Sequence, residues 1–79
     1  IRYQLSGNSS VTLKVYDLLG REVATLVNNE MMDEGEHEIE FDATNFVSGV
    51  YFYRIEANRL DAEGVKHSFS SVKKMMLVK

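Results

Sequence analysis

Cysteine, proline and tryptophan are all absent from the 79 residues. Without cysteine the chain has neither a disulfide framework nor a thiolate metal site, so packing alone must hold it together. Without proline, any exposed strand edge has to be protected by charge and by bulges. Cations are in the minority: Lys+Arg 9 against Asp+Glu 12 gives a formal net charge of −3. That balance argues against a nucleic-acid partner, which selects for a basic face. The longest apolar runs, 50–53 and 75–78, are four residues each, far below the roughly 18 that a membrane helix needs, so no membrane insertion is expected. No signal peptide is visible, and Ile1 opens directly on strand-like sequence without an initiator Met. The chain is therefore expected to be one domain over residues 1–79, excised from something larger.

What is present is an ordinary globular composition, 44% hydrophobic and 27% charged, which predicts folding around one small core. Val11, Leu13 and Val15 alternate with Thr12, Lys14 and Tyr16, the two-residue period of a strand with one buried face. His37, Ile39 and Phe41 alternate with Glu36, Glu38 and Glu40, and Tyr51, Tyr53 and Ile55 share one face of a third strand. Ile1, Tyr3 and Leu5 read as an opening strand. Residues 69–78 read as a closing one in which Val72 and Met75 fall out of phase, so a bulge is expected there. Asp17-Leu18-Leu19-Gly20 is a turn signal that makes a hairpin, and the spacing of Val23 and Leu26 on the return calls for another bulge. Residues 28–35, 42–49 and 58–67 read as loops. Strands about every 8 to 12 residues with no amphipathic helix predict an all-β antiparallel sandwich of about seven strands. Val11, Leu13, Val15, Ile39, Phe41, Tyr51, Tyr53 and Ile55 are expected to point inward.

No catalytic constellation emerges. His37 and His67 are the only histidines, and neighbouring Asp33, Glu34, Glu36 and Glu38 make His37 the nearest approach to a zinc site. A strand-edge histidine is the better reading. Glu30, Asp33 and Glu34 lack the alternating oxygen ligands of a calcium loop. Ser9, Ser10, Ser48, Ser68, Ser70 and Ser71 include no nucleophile elbow, and no glycine-rich phosphate loop exists. No cofactor and no metal are expected. Asn8-Ser9-Ser10 matches the glycosylation acceptor pattern, which a plain turn also produces. Tyr3, Tyr16, Tyr51 and Tyr53 fit core or cross-strand pairs better than a sugar platform.

VTLKVYDLLGREVATLVN at residues 11–28, EGEHEIEFDATNFVSGVYFYRIEA at 34–57 and the closing VKKMMLVK together resemble one family. It is the C-terminal sorting domain of type IX (Por) secretion cargo, in its type A form. The related immunoglobulin-like domain of flagellar hook-capping proteins is similar. The resemblance implies an immunoglobulin-like module at the end of a secreted or cell-surface protein of a Gram-negative bacterium, reached through the periplasm. It implies a non-catalytic address read by the outer-membrane translocon, with a sortase-like peptidase as a second partner and the parent cargo in cis. The family's turn glycine falls on Gly20, its GxY motif on Gly49 and Tyr51 and its terminal basic residues on Lys73, Lys74 and Lys79, and the resemblance makes Gly49, Tyr51, Lys73, Lys74 and Lys79 the candidate recognition set. The segment 58–67 looks longer than the family's tight hairpin. The competing reading is an accessory structural or carbohydrate-binding sandwich on an extracellular hydrolase, with Tyr16 among its contacts. An open sheet edge offers a route to weak self-association in either case.

Overall fold

A computed structural model describes residues 1–42 and 44–78. The described residues form six strands and no helix: β1 (Arg2–Leu5), β2 (Ser9–Tyr16), β3 (Glu22–Met32), β4 (Gly35–Glu38), β5 (Gly49–Leu60) and β6 (Lys66–Leu77). They build two antiparallel sheets, β1-β4 and β3-β2-β5-β6. The all-β expectation holds, with six strands among the described residues in place of about seven.

The core follows the period-2 pattern of β2. Val11, Leu13 and Val15 are fully buried, and on β5 they face Ala57, Ile55 and Tyr53 in an unbroken register. Leu5 from the small sheet and Val27 from β3 close over them. Tyr51 and Ile55 are buried as expected, whereas Tyr53, Ile39 and Phe41 are only half-buried. β4 stops at Glu38 and does not run on through Phe41. Ile39 still exchanges hydrogen bonds with Ile1, its N–H donating at 2.8 Å and its carbonyl accepting from the terminal amine at 3.0 Å. Phe41 then leaves the sheet to pack on Phe46, with ring centroids 5.3 Å apart.

β3 carries the bulge that Val23 and Leu26 called for: the register skips Val23 between the Tyr16 and Val15 pairs and Leu26 between the Lys14 and Leu13 pairs. A further shift lies between Val11 and Leu13, at Asn29, whose φ is 50°. Asn tolerates that left-handed conformation better than most residues. Its N–H donates to Thr12 Oγ1 at 3.2 Å and its side-chain oxygen accepts from Ser10 Oγ. This bulge carries β3 on to Met32, so residues 28–32 are strand and not the loop that their polarity suggested.

Two further expectations are corrected along β5 and β6. The long loop at 58–67 is a tight turn over 61–65, because Asn58, Arg59 and Leu60 pair with Ser68, His67 and Lys66. β6 contains no bulge; Val72 and Met75 alternate regularly onto opposite faces, opposite Arg54 and Tyr51. An outer strand with little cover on either side has no burial to gain from a shifted phase, so the continuous ladder prevails. Phe69, opposite Ala57 on the core side of β6, remains 57% exposed. A groove of about 400 Å³, lined by Leu5, Ser9, Ala57, Arg59, His67 and Phe69, marks that open side. The molecule measures 47 × 22 × 16 Å, so its two tips are well separated.

Candidate recognition surface

One tip is formed by the β2–β3 turn, the start of β5 and the end of β6. Their adjacency follows from the register, in which Tyr16 pairs with Phe52, Phe52 with Lys74 and Gly49 with Leu77. The turn is held by Asp17. Its Oδ1 accepts the N–H groups of Leu19 and Arg21, both at 2.9 Å, and its Oδ2 accepts from Arg21 Nε at 2.7 Å. Gly20 closes the turn with φ 83° and an N–H donated to the Asp17 carbonyl at 3.0 Å. The hydrogen bonds from the Arg21 and Leu19 amides and the Arg21 guanidinium hold the Asp17 carboxyl below its usual pKa, the Arg21 amide contributing most.

Gly49 enters β5 with φ 156°, a conformation that side chains rarely adopt. Two residues on, Tyr51 is only 6% exposed. Its ring meets Phe46 edge-on at 5.9 Å and its hydroxyl donates to the Val47 carbonyl at 2.9 Å. Tyr51 therefore fixes the corner at 46–49 from within the fold. Lys73 and Lys74 lie nearby but on opposite faces of β6, opposite Tyr53 and Phe52, and neither makes an ion pair among the described residues. Lys79, the remaining candidate, lies outside the described residues. The row Tyr16–Phe52–Lys74 runs across the outer face of the large sheet, with Lys14 and Glu22 paired at its margin, 3.1 Å apart. That contact raises the Lys14 pKa and lowers that of Glu22.

Sequence reasoning missed the exposed apolar side chains of this tip. Leu18, Leu19 and Val47 are 69%, 78% and 77% exposed, around a groove of about 260 Å³. The signal was available: two leucines sit between the Asp and the Gly of a turn, where burial is unattainable.

The other side chains with potential chemistry are dispersed. His37 stacks on Tyr3 with centroids 5.5 Å apart, its Nε2 lying 2.7 Å from the Asp33 carbonyl. His67 contacts Asp61 in the distant turn at 3.0 Å. Asn8 is engaged through its side-chain oxygen, which accepts the Glu34 N–H at 2.9 Å. Among the described residues no three His, Asp or Glu side chains group as a metal ion requires.

The model of the secretion system C-terminal sorting domain matches residues 1–67. The match takes in the Asp17–Gly20 turn, Gly49 and Tyr51, and ends at the start of β6, ahead of Lys73 and Lys74. No curated protein and no solved structure matches the chain. With both turn and corner inside a match that spans most of its length, the chain belongs to the C-terminal sorting domains of the type IX secretion system.

Proposed function

We propose that this domain is a folded, non-catalytic address: the outer-membrane translocon of the type IX machinery binds it and exports the cargo joined to it. A sortase-like peptidase then acts on the exported protein, which reaches the medium or the cell surface by way of a Gram-negative periplasm. The two antiparallel sheets, with Leu5 of the small one packed into the core of the large one, support an immunoglobulin-like sandwich with a reduced small sheet. The observation that carries the reading is the family match over residues 1–67, whose turn and GxY segments meet at one tip of the molecule. Gly49 and Tyr51 act by shaping the 46–49 corner, and Lys73 and Lys74 present charge on the two faces of the last strand, with Lys79 as the final cation.

The test is a fusion of residues 1–79 to the C-terminus of an unrelated periplasmic reporter in a host with type IX machinery. The reporter is expected outside the cell. Its retention in the periplasm, while the host's own cargo is exported, overturns the reading. In the same assay Lys73→Gln and Lys74→Gln are expected to leave stability within about 0.5 kcal/mol and to reduce export unequally, because a docked partner meets one face of the strand. Equal export by both variants and the parent removes these lysines from the signal.

A further inference from the structure

Two hairpin turns of this chain are built on one plan. In residues 17–21 the Asp17 N–H donates to the Arg21 carbonyl at 2.9 Å and the Gly20 N–H to the Asp17 carbonyl at 3.0 Å. In residues 61–65 the Asp61 N–H donates to the Val65 carbonyl and the Gly64 N–H to the Asp61 carbonyl, both at 3.0 Å. Asp61 Oδ1 accepts the Glu63 and Val65 N–H groups at 2.9 Å, as Asp17 Oδ1 accepts those of Leu19 and Arg21. The second carboxylate oxygen is also used alike, by Arg21 Nε at 2.7 Å and by His67 Nε2 at 3.0 Å. The glycines have φ 83° and 80°.

This conformation requires Asp first and Gly fourth, and asks nothing of the two residues between. There the turns diverge. The far turn carries Ala62 and Glu63, as a solvated turn should, whereas the near one carries Leu18 and Leu19, 69% and 78% exposed. The leucines do nothing for the turn and hold adjacent apolar surface in water at its two central positions, surface that a docked partner would cover; at the far end the exposed apolar side chains, Leu60, Val65 and Met31, lie outside the central positions of the turn. Val47 stands with them around the groove between residues 17–21 and 47–51. The charge left over at this tip is positive: Asp17 and Arg21 neutralise each other at 2.7 Å and Lys14 and Glu22 at 3.1 Å, while Lys74, on the face that carries Tyr16 and Phe52, and Lys73, on the other face, carry no ion pair among the described residues.

We propose that Leu18, Leu19 and Val47 form an interaction surface that enters an apolar pocket, rimmed by carboxylates, on a protein of the secretion machinery. The proposal rests on the export reading above. A protein partner suits the tip better than a bilayer, because a groove of fixed shape between two segments is matched by a side chain of fixed position.

The chain contains its own control. In the reporter fusion, Leu18→Ala with Leu19→Glu gives the near turn the intervening residues of the far one, and Ala62→Leu with Glu63→Leu makes the reverse change. The near-turn variant is expected to melt like the parent and to lose export about tenfold or more, the effect of truncating an interface anchor. The far-turn variant should export like the parent. Val47→Ser leaves both turns untouched and should lower export as well, which keeps the test decisive if the double variant fails to fold. Export of the near-turn and Val47 variants at parental level, with the parent fusion exported, overturns the interaction surface and leaves the export reading standing. Failure of the parent fusion overturns the export reading itself. Sedimentation of the purified parent, but not the near-turn variant, with phosphatidylcholine–phosphatidylglycerol vesicles assigns the leucines to a lipid surface and overturns the protein partner.

Discussion

The hydroxyl of Tyr51 donates a 2.9 Å hydrogen bond to the carbonyl of Val47, so a buried side chain holds an exposed one in place four residues away. The bond ties the irregular segment before β5 to the first core position of that strand, and Phe46 closes over the same ring.

Tyr51→Phe removes only this bond. The ring contacts remain, so destabilisation of about 0.5–1.5 kcal/mol is expected, the net value of one hydrogen bond. Urea unfolding of the purified chain measures it. An unchanged midpoint would mean that water replaces the phenol at the Val47 carbonyl without loss.

Truncations should rank the core by its depth. Leu13→Ala empties a fully buried site and is expected to cost about 2–5 kcal/mol, a large share of the about 5–15 kcal/mol that holds a domain folded. Phe41→Ala, at a half-buried ring packed on Phe46, should cost clearly less than the about 3–5 kcal/mol of a fully buried aromatic. Denaturant midpoints of the two variants decide; a larger loss at Phe41 would place the principal core between residues 41 and 51.

Acid should weaken the fold through its two aspartate-held turns. The carboxyls of Asp17 and Asp61 lie below their ordinary value of 3.8, Asp17 chiefly through the Arg21 amide and Asp61 chiefly through the hydrogen bond with His67. A carboxyl with a depressed folded pKa stabilises the fold above its unfolded value and loses that contribution as pH falls through the folded one. Melting temperature is therefore expected to drop as pH falls below about 4. In Asp17→Asn with Asp61→Asn the amide oxygens still accept the turn N–H groups, and the drop should be shallower. An acid limb of unchanged slope would assign it to other carboxylates.

The parts of the fold that burial dictates were legible in the sequence. β2 could be read because every second residue is needed in the core, and the 17–20 turn because Asp and Gly each answer a specific backbone demand. The polar run Asn28-Asn29-Glu30 hid the continuation of β3, since a bulge at Asn29 keeps a ladder going without apolar side chains. β6 was opaque for the opposite reason: with little of it covered, facing leaves no mark on its composition. At the candidate site, adjacency in sequence concealed separation in space, because Lys73 and Lys74 on one extended strand point to opposite faces. The GxY tyrosine is the interior support that its place on an inward face predicted, while Leu18 and Leu19, read only as part of a turn signal, leave two large apolar side chains at the surface.

The position of β6 sets the order in which the molecule opens. β2 is hydrogen-bonded on both sides, to β3 and β5, and its inward side chains are sealed; β6 is bonded on one side only, and most of its side chains face water. β6 contributes no residue to the buried cluster of Leu5, Val11, Leu13, Val27, Ile55 and Ala57, so its amides are expected to exchange with deuterium through partial openings ahead of those of β2. The last strand is thus held to the domain by its ladder with β5 far more than by burial of its side chains.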